Sequence, residues 1–543
     1  MLSTMQDGQL GIARMIRHMA RVNGRSRIVT QQETGRSSVP FREVAERATR
    51  LADALDRRGL RPGGRVATFM STCREHVEAY LGVPYLGAVL HTVNIRLHDR
   101  EIAHICEEAG DRIFLVDADM IERFASVVPL LAAPELVVLV GGASGAAIRE
   151  LGVATVDYEA LLEEGEIDFD RPEADEREAA ILCHTGGTTG MPKGVAYSHR
   201  ALWLQANSLC TGNSLGISAA DRILPAVPLY HVNGWGLPFA AIMAGADLIL
   251  PGSALRAPVI AELIREEKPT IAAGVPTIWT DLLALLGREA AEPLACLRMI
   301  ATGGALVAPA LMEAYAAFGV RVIQAWGMTE TCSMSVVSAV PRWAESVAER
   351  KAYAARQGRV ACGLEIRVVD ADGAEMPRDG QAVGEVQIRG PWVTGSYFLK
   401  DDADKFQDGW LKTGDLGTVD ADGFLTLTDR LKDAIKSGGE WIPSLVLEAA
   451  IQTHESVREV AVIAMPDSRW QERPLAVVVL DDRFAELDAA AISASIADMV
   501  PRWWMPAHWL KAQAIPRTGV GKYDKKLMRE RLEAGTLGTV LTL

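Results

Sequence analysis

Short runs of consecutive apolar residues alternate along the chain with stretches in which apolar positions recur every three or four residues. Arg112-Ile-Phe-Leu-Val116, Leu136-Val-Val-Leu-Val140 and Asp247-Leu-Ile-Leu250 are of the first kind; Val259-Ile-Ala-Glu-Leu-Ile-Arg265 is of the second. Strand-like runs alternating with helical patterns predict an α/β fold with mostly parallel sheets. Ile12, Met15, Ile16 and Met19 mark one face of an amphipathic N-terminal helix, a face for core or subunit contact. The strongest apolar stretch, Leu237 to Pro251, is broken by Asp247 and is too short to span a bilayer. Beyond Cys362 the texture changes. Gly/Asp turns separate short strands, as in Val368-Val-Asp-Ala-Asp-Gly and Val419-Asp-Ala-Asp-Gly-Phe-Leu-Thr-Leu, which predicts hairpins and a small β-barrel region. Val460-Ala-Val-Ile-Ala and Leu475-Ala-Val-Val-Val then suggest a compact α+β unit.

With 543 residues, 49% of them hydrophobic, the chain exceeds one domain and predicts at least two. The acidic segment Glu163 to Glu178 has little to bury and reads as a surface connection. A net charge of −14 with no offsetting basic run argues against a nucleic-acid partner or an anionic membrane surface. Seven cysteines scattered singly, without a CxxC pair or zinc-ligand spacing, fit a reduced cytoplasm. Arg14, Arg17 and Arg21 interrupt any apolar core of a signal peptide.

One segment carries most of the chemistry. His184-Thr-Gly-Gly-Thr-Thr-Gly-Met-Pro-Lys-Gly-Val195 places four glycines, three threonines and a lysine directly after an apolar run. Glycines let successive N–H groups face an anion, hydroxyls add donors or bind a metal, and Lys193 supplies mobile charge, so the loop suits phosphate. It is not a Walker A loop, because Lys193 follows Pro192 and precedes Gly194. Taken alone it could still be a tight connection.

Four further segments follow: Gln324-Ala-Trp-Gly-Met-Thr-Glu330, Gly384-Glu-Val-Gln-Ile-Arg-Gly390, Trp410-Leu-Lys-Thr-Gly-Asp415 with Asp429-Arg-Leu-Lys432, and Pro516-Arg-Thr-Gly-Val-Gly-Lys522. In order and separation the five resemble the signatures of the adenylate-forming superfamily of acyl-CoA synthetases, peptide-synthetase adenylation domains and luciferases. The resemblance spans nearly the whole chain, with Gly186 where many members have Ser. It implies a large N-terminal domain of α/β subdomains plus a β-barrel over 1–428, a hinge at 429–432 and a mobile α+β domain over 433–543.

The resemblance also implies roles. Thr185, Gly186, Gly187, Thr188, Thr189, Gly190 and Lys193 would hold the β- and γ-phosphates of ATP. Thr185 and Glu330, beside Thr329, would hold Mg²⁺. Gly303, Gly304, Gln324, Ala325, Trp326 and Gly327 would belong to the ATP/AMP site, where the family stacks an aromatic ring on adenine beside Trp326-Gly-Met. Asp415 and Arg430 would hold the ribose. Lys522 would swing into the site to bridge carboxylate and phosphate oxygens. Read by themselves, a Thr-Glu pair is a helix cap, Asp after Gly is turn chemistry and a single lysine is solvated. Lys432 would be the hinge. Lys436, Gly438, Gly439, Glu440 and Trp441 would form the approach for the pantetheine arm of coenzyme A.

Pro228-Leu-Tyr-His-Val-Asn-Gly-Trp-Gly236 resembles a segment of medium- and long-chain fatty acyl-CoA synthetases, in which His231 would flank the adenylate and Trp235 gate an acyl tunnel. Alone, His231 reads as a hydrogen-bonded core histidine. Val232, Gly304 and Ala305 would line the same pocket. His184 stands where Tyr or Phe is usual and Tyr230 where Phe is frequent, which leaves a bulkier, polar or aromatic acid open. The expected activity is an ATP- and Mg²⁺-dependent ligation of a medium- or long-chain fatty acid to CoA through an acyl-adenylate. The alternatives are another apolar acid (aryl, alicyclic, steroid side-chain or methylthioalkanoic), transfer to a carrier protein, or a regulator without catalysis. Related synthetases make a homodimer compatible with the chain.

Overall fold

The computed structural model describes residues 3–142, 144–185, 191–287, 291–305, 307–437, 440–517 and 523–542. The chain forms two compact units, one of residues 1–365 and 389–411, the other of residues 366–388 and 412–543.

The first unit is built on two sheets. In one, Ala154–Asp157, Leu136–Val140, Ile113–Asp117, Arg65–Phe69, Val89–Thr92 and Ala179–His184 lie parallel in that order, and Gly194–Ser198 returns antiparallel along the last. In the other, Arg27–Gln31, Asp247–Leu250, Arg222–Ala226, Ile271–Gly274, Met299–Gly303 and Arg321–Met328 are parallel, followed by antiparallel Ser333–Val337 and Gly358–Val360. Parallel strands are covered on both faces, which is why Leu136–Val140 is apolar at every position and buried throughout. The expected run Arg112–Val116 forms one residue later, as Ile113–Asp117. Val259–Arg265 lies within the helix Ala257–Glu267. The N-terminal helix Ile12–Arg21 buries Ile12, Met15, Ile16 and Met19 within its own unit, against Phe41–Arg57 and Arg74–Tyr85. The apolar stretch after Leu237 divides at Ala244 into a helix and the strand Asp247–Leu250. No helix among the described residues is long and apolar enough to cross a membrane.

The strand Trp410–Val419, in the second unit from Lys412 onward, and Phe424–Arg430 form an antiparallel pair closed at Gly423, where φ is +83°. Val457–Asp467 and Gln471–Leu480 form a long hairpin joined in parallel by His508–Lys511, with helices Ser444–Ile451 and Lys525–Glu533 packed on Val457–Asp467. Ile435, Leu447, Val462, Val478 and Trp509 are buried in its core.

Candidate active site

Parallel strands deliver their C-terminal ends to one edge of a sheet, and the phosphate loop leaves from such an end. His184 closes the strand Ala179–His184, and the chain returns at Gly194, its cross-strand partner. The base of the loop is fastened by two hydrogen bonds: Thr185 N donates to Lys193 O at 2.9 Å, and Lys193 N donates to Thr185 Oγ1 at 3.0 Å. Gly186, Gly187, Thr188, Thr189 and Gly190 lie outside the described residues. Lys193 Nζ rests 2.9 Å from Asp402 Oδ2 and 4.8 Å from the centre of the Tyr397 ring.

Glu330 stands on a single helical turn, Thr329–Thr331, just past the strand Arg321–Met328. The turn is capped where Met328 N donates to Thr331 Oγ1, and the chain leaves it through two residues in the left-handed region, Cys332 and Ser333. Gly327 permits this reversal, since a Cβ there would stand 1.7 Å from Ser333 O. Glu330 is 7% exposed, and its Oε1 accepts from Tyr397 Oη at 2.7 Å. Burial and the Glu330 charge push the Tyr397 phenol far above its ordinary range, which keeps it a donor. Tyr397 therefore touches both the buried carboxylate and the loop lysine. Thr329 O accepts from Tyr197 Oη at 2.6 Å, which ties this turn to the strand leaving the phosphate loop.

Trp326 and Ala325 are buried on the same strand, parallel to Met299–Gly303, with Gly303 opposite Ala325. Gly304 and Ala305, which follow, are exposed. The side chain of Gln324 points its amide at the end of the helix Val347–Ala354, donating to Ala355 O at 2.6 Å.

The segment around His231 has an unusual backbone. Val232, Asn233, Gly234, Trp235 and Gly236 all have positive φ, between 37° and 74°. Left-handed conformation costs a side-chain-bearing residue about 1–2 kcal/mol, and runs of it persist only when the surroundings impose it. Here the helix His199–Cys210 and the strand Ser333–Val337 pack against the turn, and Thr92 Oγ1 donates to Asn233 Oδ1 at 3.2 Å. The conformation turns the buried Trp235 toward the end of Met299–Gly303, where its Cη2 would lie 3.7 Å from a Cβ on Gly303. His231 and Val232 are half-buried beside it. Among the described residues, Asn233 Nδ2 and Thr302 Oγ1 are buried without hydrogen-bond partners, polar atoms a ligand could engage.

The second unit carries the remaining expected residues. Asp415 and Arg430 face each other across antiparallel strands, with Arg430 Nε 3.0 Å from Asp415 Oδ1. Lys432 lies exposed in the turn that follows. Lys436 and Trp441 are opposite each other in the hairpin Ile435–Ser437 and Glu440–Ile442, the ammonium 5.7 Å from the indole centre. Gly438, Gly439, the Glu440 side chain and Lys522 lie outside what the structure describes. Just beyond Lys522, Lys525 is buried and donates to Ser444 Oγ and Glu448 Oε1, each at 2.6 Å. Ser444 N in turn donates to Asp429.

Tyr397 and Asp402 were not signalled by the sequence reading, although they touch Glu330 and Lys193. They lie in a polar stretch between recognised segments, and only tertiary structure brings them to Glu330, 67 positions back, and to Lys193, far earlier in the chain.

A buried carboxylate, a glycine-rich loop with its lysine and an aromatic-bearing strand are the parts of a nucleotide-activating enzyme. The chain belongs to the AMP-binding enzyme family, whose model matches residues 16–398, with the family's C-terminal domain matching 446–522. It is 37% identical to a medium-chain-fatty-acid–CoA ligase of Ectopseudomonas oleovorans over 98% of this chain and 97% of that one. It is 38% identical to a 3-methylmercaptopropionyl-CoA ligase of Ruegeria pomeroyi over 98% and 99%. The fold matches that of an anthranilate CoA ligase solved with anthranoyl-AMP, with a TM-score of 0.85 at 25% identity over 97% of this chain and 98% of that one. Within its family the chain is an adenylate-forming enzyme of the acyl-CoA synthetase branch.

Proposed function

We propose that the chain activates a medium- or long-chain fatty acid with ATP, forming an acyl-adenylate and pyrophosphate, and then transfers the acyl group to the thiol of CoA with release of AMP. The observation that carries this reading is the contact of one side chain, Tyr397, with both Glu330 and Lys193, in a chain that aligns end to end with a fatty acid–CoA ligase. Attack of a carboxylate on the α-phosphorus brings two anions together, and Lys193 with the loop N–H groups would offset that charge. Thr185 and Glu330 offer a hydroxyl and a carboxylate, oxygen donors of the kind Mg²⁺ takes. Bound there, Mg²⁺ would supply further charge neutralisation at the phosphates. Asp415 would accept from the ribose hydroxyls, Arg430 holding its carboxylate in place. Lys522 would bridge the reacting oxygens in the first step, and Lys436 with Trp441 would flank the thiol arm in the second. Residues 429–432 would be the pivot between the two.

The relative from Ruegeria pomeroyi favours a second reading of the acid, a short methylthioalkanoate. One assay separates the two: CoA-dependent AMP release across straight-chain acids of increasing length, 3-methylmercaptopropionate and aryl acids. A rise in kcat/KM with chain length supports the fatty acid, whereas a maximum at the methylthio acid selects the second reading. Pyrophosphate exchange without thioester formation would remove CoA as acceptor.

A further inference from the structure

At the strand ends that flank the phosphate loop runs a buried chain of ionisable side chains that the chemistry above does not use. His91 Nδ1 lies 2.6 Å from Asp111 Oδ2, His91 Nε2 lies 2.9 Å from His184 Nδ1, and His184 Nε2 lies 3.2 Å from Glu108 Oε2. Glu108 Oε1 pairs with Lys400 Nζ at 3.0 Å. The Asp111 and His91 side chains are fully buried and that of His184 is 1% exposed.

Ionised carboxylates only accept hydrogen bonds, and this chain has one at each end. Its three contacts therefore need three ring N–H groups, while two neutral imidazoles supply two. The contacts are all satisfied when one of the two rings carries both of its protons, so that each carboxylate accepts from the imidazole beside it. Asp111 and Glu108 then balance that ring and Lys400, so the charges of the chain cancel.

The position of this chain gives it a task. His184 is the residue from which the loop departs, and its Nε2 would be 3.1 Å from a Cβ on Gly194, where the loop returns. Lys400 closes a circuit around the same point: Phe398 N donates to Gly194 O at 2.8 Å, and Asp402 holds Lys193. Both strand ends are thus tied to one framework.

We propose that Glu108 is a positioning residue for nucleotide binding, acting through His184 to fix the two strand ends from which the phosphate loop springs. Strand ends held in place keep Thr185, Lys193 and Gly194 at a fixed spacing, so these residues have less freedom to lose on meeting a phosphate, and the saving appears as affinity. The inference takes only the identity of the nucleotide from the proposed function.

The test is the calorimetric affinity of the full-length protein for ATP without any acid, together with KM for ATP, KM for the acid and kcat. Glu108→Ala is expected to weaken ATP binding and raise its KM about tenfold, leaving kcat and the acid KM within about twofold. Glu108→Gln is expected to restore affinity to within about threefold, since with both rings neutral and His184 protonated at Nδ1 the new amide can donate to His184 Nε2 and accept from Lys400. Lys400→Ala, at the outer end and 27% exposed, is expected to weaken binding about threefold without disturbing the fold. Unchanged ATP affinity in Glu108→Ala or Lys400→Ala would overturn the proposal. So would a Glu108→Gln variant as weak as the alanine variant, or a parallel loss of kcat, both KM values and melting temperature. A wild type that binds ATP but releases no AMP with any acid would count against the ligase reading alone.

Discussion

Asp402 Oδ2 lies 2.9 Å from Lys193 Nζ, both side chains about one-third exposed, so the cation of the phosphate loop already faces an internal carboxylate. A nucleotide phosphate must compete with it. Asp402→Asn should therefore tighten ATP binding, by up to about fivefold given the small worth of partly exposed ion pairs. The gain should shrink as salt is raised. In a Lys193→Ala background it should vanish, and calorimetry on the four proteins of that cycle decides the matter. Weaker ATP binding in Asp402→Asn would mean that the carboxylate orients the lysine instead of competing for it.

Tyr397→Phe removes the hydroxyl that donates to Glu330 while keeping the ring beside Lys193. A hydrogen bond to a buried charge is worth about 1.5–3 kcal/mol, so acyl-adenylate formation should slow roughly tenfold or more. Thioester formation from supplied acyl-AMP should hardly change, because the role proposed for Glu330 is at the phosphates. Pyrophosphate exchange and single-turnover thioester formation measure the two steps separately, and equal losses would argue against this assignment.

The sequence announces those parts of the molecule that depend on local pattern. Leu136–Val140 is a strand because five apolar residues in succession need two buried faces, and it forms over those residues. The Gly423 turn likewise follows from Asp and Gly placed between alternating strands. Asp415 and Arg430 were both named from their motifs, yet their pairing depends on a strand register that a bulge at Leu416/Gly417 shifts. The left-handed run was not legible. Only Gly234 and Gly236 hint at it, while Val232 and Trp235 disfavour it and are held there by neighbours distant in sequence. Tyr397, Asp402 and Glu108 stayed hidden for the same reason, as their partners lie on other elements.

Trp235 stands buried beside Gly303, and the proposed function makes it the gate of an acyl tunnel. Each methylene buried in an apolar channel contributes roughly 0.8 kcal/mol, so a real tunnel should give kcat/KM rising with chain length up to its closed end. Trp235→Ala should shift that profile or broaden it toward bulkier acids, with ATP affinity unchanged. A flat wild-type profile, with the variant merely less stable, would make the indole ordinary packing.

Lys522→Ala should cost on the order of a hundredfold or more in adenylation, the effect of losing one preorganised charge contact at the reacting oxygens. Thioester formation from supplied acyl-AMP should survive, since the role proposed for the lysine is confined to the first step. Equal loss in both half-reactions would refute that division of labour.

Gly303 has a consequence for how new substrate preferences could arise. A methyl group there would sit 2.6 Å from the carbonyl oxygen of Ala325, backbone that cannot step aside, whereas the nearest atom of Trp235 is 3.7 Å away. One wall beside the indole is therefore rigid main chain and the other is a replaceable side chain. Selection for an altered acid should fix changes at Trp235 and leave Gly303 untouched, and a randomised library of both positions would show that asymmetry among its survivors.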